Sequence, residues 1–162
     1  MASAPSVLDR IRAMQDGAGT TPSYAVAYAE ILDGGKRSHW IWYVWPTLKG
    51  VRSTMRPELE LLSLDQACAY LRDAVLCGRL VEITAAASTK LREGVTAAAL
   101  FGPQHAYDAP KFHEACTLFL IAAEKAGMPD VASVFQAGLE AIAGGVRNAR
   151  VLECIREHSS GA

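Results

Sequence analysis

The chain has no Cys-x-x-Cys pair, and its four cysteines, Cys68, Cys77, Cys116 and Cys154, match no zinc-ligand spacing. They read as reduced, mostly buried thiols of a reducing compartment. The opening "MASAPSVLDRIRAMQ" contains no apolar stretch of signal-peptide length. No segment approaches the roughly 18 apolar residues needed to span a bilayer. The expectation is therefore a soluble, cytoplasmic protein with no membrane partner. An excess of positive charge is also missing: the formal net charge is −1. The field that duplex nucleic acid requires is absent, and no nucleic-acid partner is expected. There is no phosphate loop of the G-x-x-x-x-G-K-[ST] kind. The "HEAC" run from His113 to Cys116 lacks the second histidine of a zincin helix. No metal and no cofactor are implied. Without a repeat, a low-complexity block or a linker, the chain reads as one domain.

What is present points to helices. A chain of 162 residues, 51% of them hydrophobic, can bury a core without staples. Alanine is abundant, which favours helix. A first short helix is predicted from about Pro5 to Met14. In the second, Thr20 or Thr21 caps, Pro22 takes the first turn and Gly34 terminates. "SHWIWYVWP" reads as a short central helix capped by Ser38 and stopped by Pro46. A loop leads to "SLDQACAYLRD", where Ser63 and Gln66 have capping-box spacing. A longer helix follows, with Leu76, Leu80, Ile83 and Ala87 on one stripe. One or two helical turns end at Gly102, and "PQHAY" reads as loop. Asp108 then caps a long helix with Pro110 in its first turn and Gly127 past its end. Asp130 and Asn148 cap the last two. The predicted fold is an all-α, single compact orthogonal helical bundle of about seven to nine short helices. Residues 1–20 form an N-terminal segment with a short helix, 21–158 the all-α domain, and 159–162 a disordered tail.

The stretch "GGKRSHWIWYVWPTLKG", Gly34 to Gly50, holds all three tryptophans, Trp40, Trp42 and Trp45. Burying one is worth about 4–6 kcal/mol as an upper bound, so a core role alone explains them; the other reading is that one, Trp42, lines a pocket. His39 is either a hydrogen-bonded histidine at a helix start or a general acid or base at a pocket edge. The "GGKRS" turn is either a helix connector or an anion site. In the second case its backbone N–H groups, Lys36, Arg37 and the Ser38 hydroxyl act as donors. Lys111 and Thr117, on the long helix, complete the candidate ligand set of Lys36, Arg37, Ser38, His39, Trp42, Lys111 and Thr117. Cys116 reads as a structural thiol, with no base placed beside it.

The same stretch resembles the signature of domain-of-unknown-function family 1810, close to G-x-K-x-x-H-W-M-W-F-x-F-P-Q-L-x-G. "DQACAYL", "CGRLVEIT", "LFG" and "KFHEACTLF" are similar to its further segments, so the resemblance runs from Tyr24 to Glu157. Thr47 stands where the family has glutamine, and Glu114-Ala115-Cys116 replaces Ser-Ser-Met. The resemblance implies a small, mainly helical domain with no established activity. Two functional readings follow. One is a helical binding or interaction module with a protein partner. The other is an enzyme or sensor for a small anionic molecule, a nucleotide or phosphate ester, at the Gly34 to His39 turn. A pocket joining His39 to Lys111 favours the second.

Overall fold

The computed structural model describes residues 3–160. Among them are nine α-helices and no strand, with one isolated bridge between Leu48 and Leu61. The helices are α1 (Val7–Gln15), α2 (Tyr24–Leu32), α3 (Ile41–Val44), α4 (Leu64–Arg72), α5 (Ala74–Arg92), α6 (Ala97–Phe101), α7 (His105–Lys125), α8 (Pro129–Ala143) and α9 (Ala149–Ser160). α7 runs through the middle, with α4, α6, α8 and α9 around it, and α5 closes against α8. Gly138 lets α8 lie close against α7, since a Cβ there would meet Cys116 Sγ at 2.7 Å. The bundle is the predicted all-α fold.

Several helix starts differ from expectation, each for a local reason. Ser6, not foreseen as a cap, forms a capping box with Asp9 and starts α1. Val7, Ile11 and Gln15 of α1 are buried, so the N-terminal segment belongs to the core. Gln15 Nε2 donates to the Tyr43 carbonyl at 2.7 Å and to Tyr70 Oη at 3.1 Å, and its Oε1 accepts from Arg79. Ser23, rather than Thr20 or Thr21, caps α2, and Pro22 lies before the helix. Gly34 ends it as predicted: at φ +85° its N–H donates to Ile31 O while Gly35 N–H reaches back to Glu30 O. Pro129, not Asp130, leads α8, and Met128 occupies the cap position. Asn148 caps α9 through its side chain, at 3.0 Å from Val151 N. α9 continues to Ser160, beyond the expected end at His158. Gly161 and Ala162 of the expected tail lie outside the described residues.

The tryptophan stretch gives only four helical residues, Ile41–Val44, and no side-chain cap. Trp40 and Trp45 flank this turn and enter the core at 0% and 1% exposure. Trp45 packs edge-on to Phe112 with centroids 4.8 Å apart, and its Nε1 donates to Thr84 Oγ1 at 3.0 Å. Trp42 packs against this core but is only partly buried.

Candidate functional site

The "GGKRS" turn does collect an anion, and the anion is the protein's own. Glu30, near the end of α2, is buried beneath the turn. Its Oε1 accepts from Arg37 N at 2.7 Å, Ser38 N at 2.9 Å and Trp40 Nε1 at 3.0 Å, and its Oε2 accepts from Ser38 Oγ at 2.6 Å. Burial pushes the Glu30 carboxyl upward. Donation from Ser38, the Arg37 N–H and Trp40 outweighs it and holds the group at about 2. This carboxylate explains why Ser38 does not cap α3 and why the turn's N–H groups face inward. The Arg37 side chain points away, paired with Asp33 at 3.0 Å on the exposed surface.

Lys36 turns the other way. Its backbone is clamped to α6 and the turn that follows: Lys36 N donates to Leu100 O at 2.7 Å. The Lys36 carbonyl lies against Gly102, where an added Cβ would sit 2.1 Å from the oxygen. Only glycine fits there, and its φ of +70° demands glycine as well. The "LFG" run is thus a seat for the segment bearing Lys36. The side chain is buried, with Nζ 2.9 Å from Asp108 Oδ2, 2.7 Å from Ser38 O and 5.0 Å from the Trp40 ring centre. Asp108 was expected to cap the long helix. Instead α7 begins three residues earlier, at His105, and Asp108 faces inward from its first turn to Lys36. Its Oδ2 is close to Nζ but off the angle for a hydrogen bond, which leaves it a buried acceptor without one.

One turn further along α7, Lys111 lies 3.7 Å from Asp108 Oδ1, with Nζ 5.1 Å from the centre of the Trp42 ring. Burial pushes its amine below the usual lysine range; Arg52 and Lys36 add to this, and Asp108 opposes it. Arg52, from the loop after the tryptophans, holds Glu114 of α7 in a two-pronged pair, with Nε 3.0 Å from Oε2. Glu114 is one of the residues by which this chain departs from the Ser-Ser-Met pattern.

These groups share one cleft of about 510 Å³ between the α3 turn, the loop 52–55 and the start of α7. Lys36, His39, Trp42 and Lys111 line it, together with Arg52, Thr54, Met55, Gln104 and Tyr107. Three cations therefore line the cleft with one carboxylate, Asp108, while Glu114 holds Arg52 from outside the lining. Behind Trp42 a cavity of about 20 Å³ opens next to Thr47, whose buried hydroxyl has no hydrogen-bond partner. That is room for one water, in the place where glutamine is usual in the family resembled.

Of the seven candidate ligand residues, Lys36, His39, Trp42 and Lys111 meet in the cleft; Arg37, Ser38 and Thr117 do not. Thr117 is buried within α7, donating to His113 O at 3.0 Å and accepting from Asn148 N at 2.9 Å, and so ties α7 to the start of α9. Arg52, Gln104 and Tyr107 escaped the sequence reading. Arg52 directly follows the tryptophan stretch, but nothing local shows that its loop folds back on α7. Cys68, Cys116 and Cys154 are buried and Cys77 is partly so, all four as free thiols. Burial pushes the Cys116 thiol far up. Among the described residues no group of three or more His, Cys, Asp or Glu side chains is arranged to hold a metal ion, and no helix is long and apolar enough to cross a membrane.

Fold and cleft together define a small all-α domain with a polar, aromatic-walled pocket at one helix start. The chain belongs to the family described as protein of unknown function (DUF1810), whose model matches residues 7–155. It is also similar to the conserved hypothetical protein Rv1873 from Mycobacterium tuberculosis, known from a crystal structure. The two share 29% identity at a TM-score of 0.78, over 94% of this chain and 99% of that one. Comparison with curated proteins gave no match.

Proposed function

We propose that the protein binds a small anionic ligand with a flat apolar portion, of the nucleotide or phosphate-ester class, in the cleft between Trp42 and the start of α7. The observation that carries this reading is the convergence of Lys36, Arg52 and Lys111 on one pocket walled by Trp42. Its volume of about 510 Å³ suits a ligand of nucleotide size. Lys36, locked to Asp108, sets the floor. Arg52 and Lys111, more accessible, supply donors to the anion, and the Trp42 face takes the flat part. His39 stands at the pocket edge. A docked protein segment is the second reading, favoured by Met55 at 93% and Tyr107 at 63% exposure on the rim.

Titration calorimetry with adenosine 5′-monophosphate, adenosine and inorganic phosphate separates these readings. The monophosphate is expected to bind best, with affinity falling as salt rises. Arg52→Ala and Trp42→Ala weaken it at least tenfold, while Arg37→Ala leaves it unchanged. Absence of binding by all three at millimolar concentration rejects the small-anion reading.

A further inference from the structure

The side chain of Lys111 is built differently from the other two cleft cations. Lys36 is closed off at 3% side-chain exposure and paired with Asp108 at 2.9 Å. Arg52 is engaged at both prongs by Glu114. Lys111 has only the looser contact to Asp108, at 3.7 Å and 15% exposure, and its amine rests on the Trp42 face. An amine in such a place, desolvated and next to other cations, is the arrangement that makes a lysine nucleophilic.

We propose that Lys111 is a covalent capture group: its amine forms an imine with the carbonyl carbon of a small aldehyde or oxo-acid whose anionic group is held in the same cleft. The proposal rests on the anionic-ligand reading for its anion site and goes beyond it in making the ligand a carbonyl compound. The neutral amine attacks the carbonyl carbon, forming a C–N bond as the carbonyl electron pair moves to oxygen. One amine proton passes to that oxygen, and Asp108 Oδ1, at 3.7 Å from Nζ, stands where it can relay it. A second proton is taken up at the hydroxyl, the C–O bond breaks, water leaves, and a protonated imine remains. Hydrolysis reverses each step, so neither oxidant nor reductant is consumed. Burial holds the amine below the usual lysine range, which raises the fraction that is neutral.

The test is reductive trapping on the full chain. Protein is incubated separately with pyruvate and with pyridoxal 5′-phosphate, reduced with borohydride, digested, and mapped by mass spectrometry. At substoichiometric probe the adduct is expected on Lys111, at least tenfold above any other lysine. Lys111→Arg keeps the charge over Trp42 and cannot form an imine, so it should melt with the parent yet lose the adduct. If that variant melts lower, competition serves instead: excess inorganic phosphate should protect Lys111 of the parent from trapping. Labelling spread evenly over the lysines, or failure of phosphate to protect, overturns the proposal. Calorimetry with adenosine 5′-monophosphate on the parent is run alongside. Binding there without a Lys111 adduct sinks the imine proposal and leaves the anionic-ligand reading standing, while absence of both removes the two together.

Discussion

Glu30 shows how a single buried carboxylate organises the tryptophan turn. It satisfies two backbone N–H groups, a hydroxyl and the buried Trp40 indole. Glu30→Gln keeps the shape but loses the charge and one acceptor set, and is expected to cost about 2–4 kcal/mol in chemical denaturation. The folded-state pKa of Glu30, about 2, lies below its ordinary 4.5, so the stabilisation is whole above pH 4.5 and drains away as pH falls toward 2. Denaturation across that window should show the parent losing stability more steeply than Glu30→Gln; parallel curves would mean the carboxylate is not held as described. Lys36 and Arg37 are neighbours with opposite fates. Arg37→Ala removes an exposed pair worth at most about 0.5 kcal/mol. Lys36→Ala leaves Asp108 charged and buried, and should cost about 3–5 kcal/mol. Equal melting of the two variants would contradict the burial of Lys36.

At the scale of elements, the cleft depends on the α3 turn being held in place beside the start of α7. The α3 turn is pinned from beneath by Glu30 and from the side by the contact between Lys36 and Gly102. Gly102→Ala forces both a collision at 2.1 Å and a left-handed φ of +70° onto a residue with a Cβ. The expected loss is at least about 2 kcal/mol. The carbonyl of Lys36 must move to make room, and its amine moves with it. Anion affinity should therefore fall in Gly102→Ala although residue 102 does not line the cleft, as calorimetry would show. A variant that binds as the parent does would mean that the clamp and the cleft are independent. The helix starts follow the same logic of competition. Ser38 and Asp108 are sound caps by residue type, yet each has a buried partner, Glu30 or Lys36, that outcompetes a local N–H.

At the scale of the whole molecule, helical periodicity and punctuation by proline and glycine were enough to read the all-α bundle, because α2, α5 and α7 carry long apolar stripes between clear stops. The site was half legible. Lys36, His39 and Trp42 were nameable because they sit in one unusual aromatic stretch, and Lys111 because it opens the long helix segment "KFHEACTLF". Arg52 and Tyr107 were not, since a loop and a helix start are brought there by tertiary packing alone. The inward turn of Glu30 was invisible for the same reason: a glutamate on a helix reads as solvated until its ten-residue reach to Trp40 is seen. The proposed function requires that ligands enter at Trp42 and not at the turn. The three indole N–H groups offer a direct readout, because Trp40 is bonded to Glu30, Trp45 to Thr84, and Trp42 stands at the cleft. A ¹⁵N-correlation titration with adenosine 5′-monophosphate should move the Trp42 indole signal saturably while those of Trp40 and Trp45 stay within a small fraction of that change. Saturable movement of the Arg37 and Ser38 amides with a stationary Trp42 would place the anion on the turn and contradict the account.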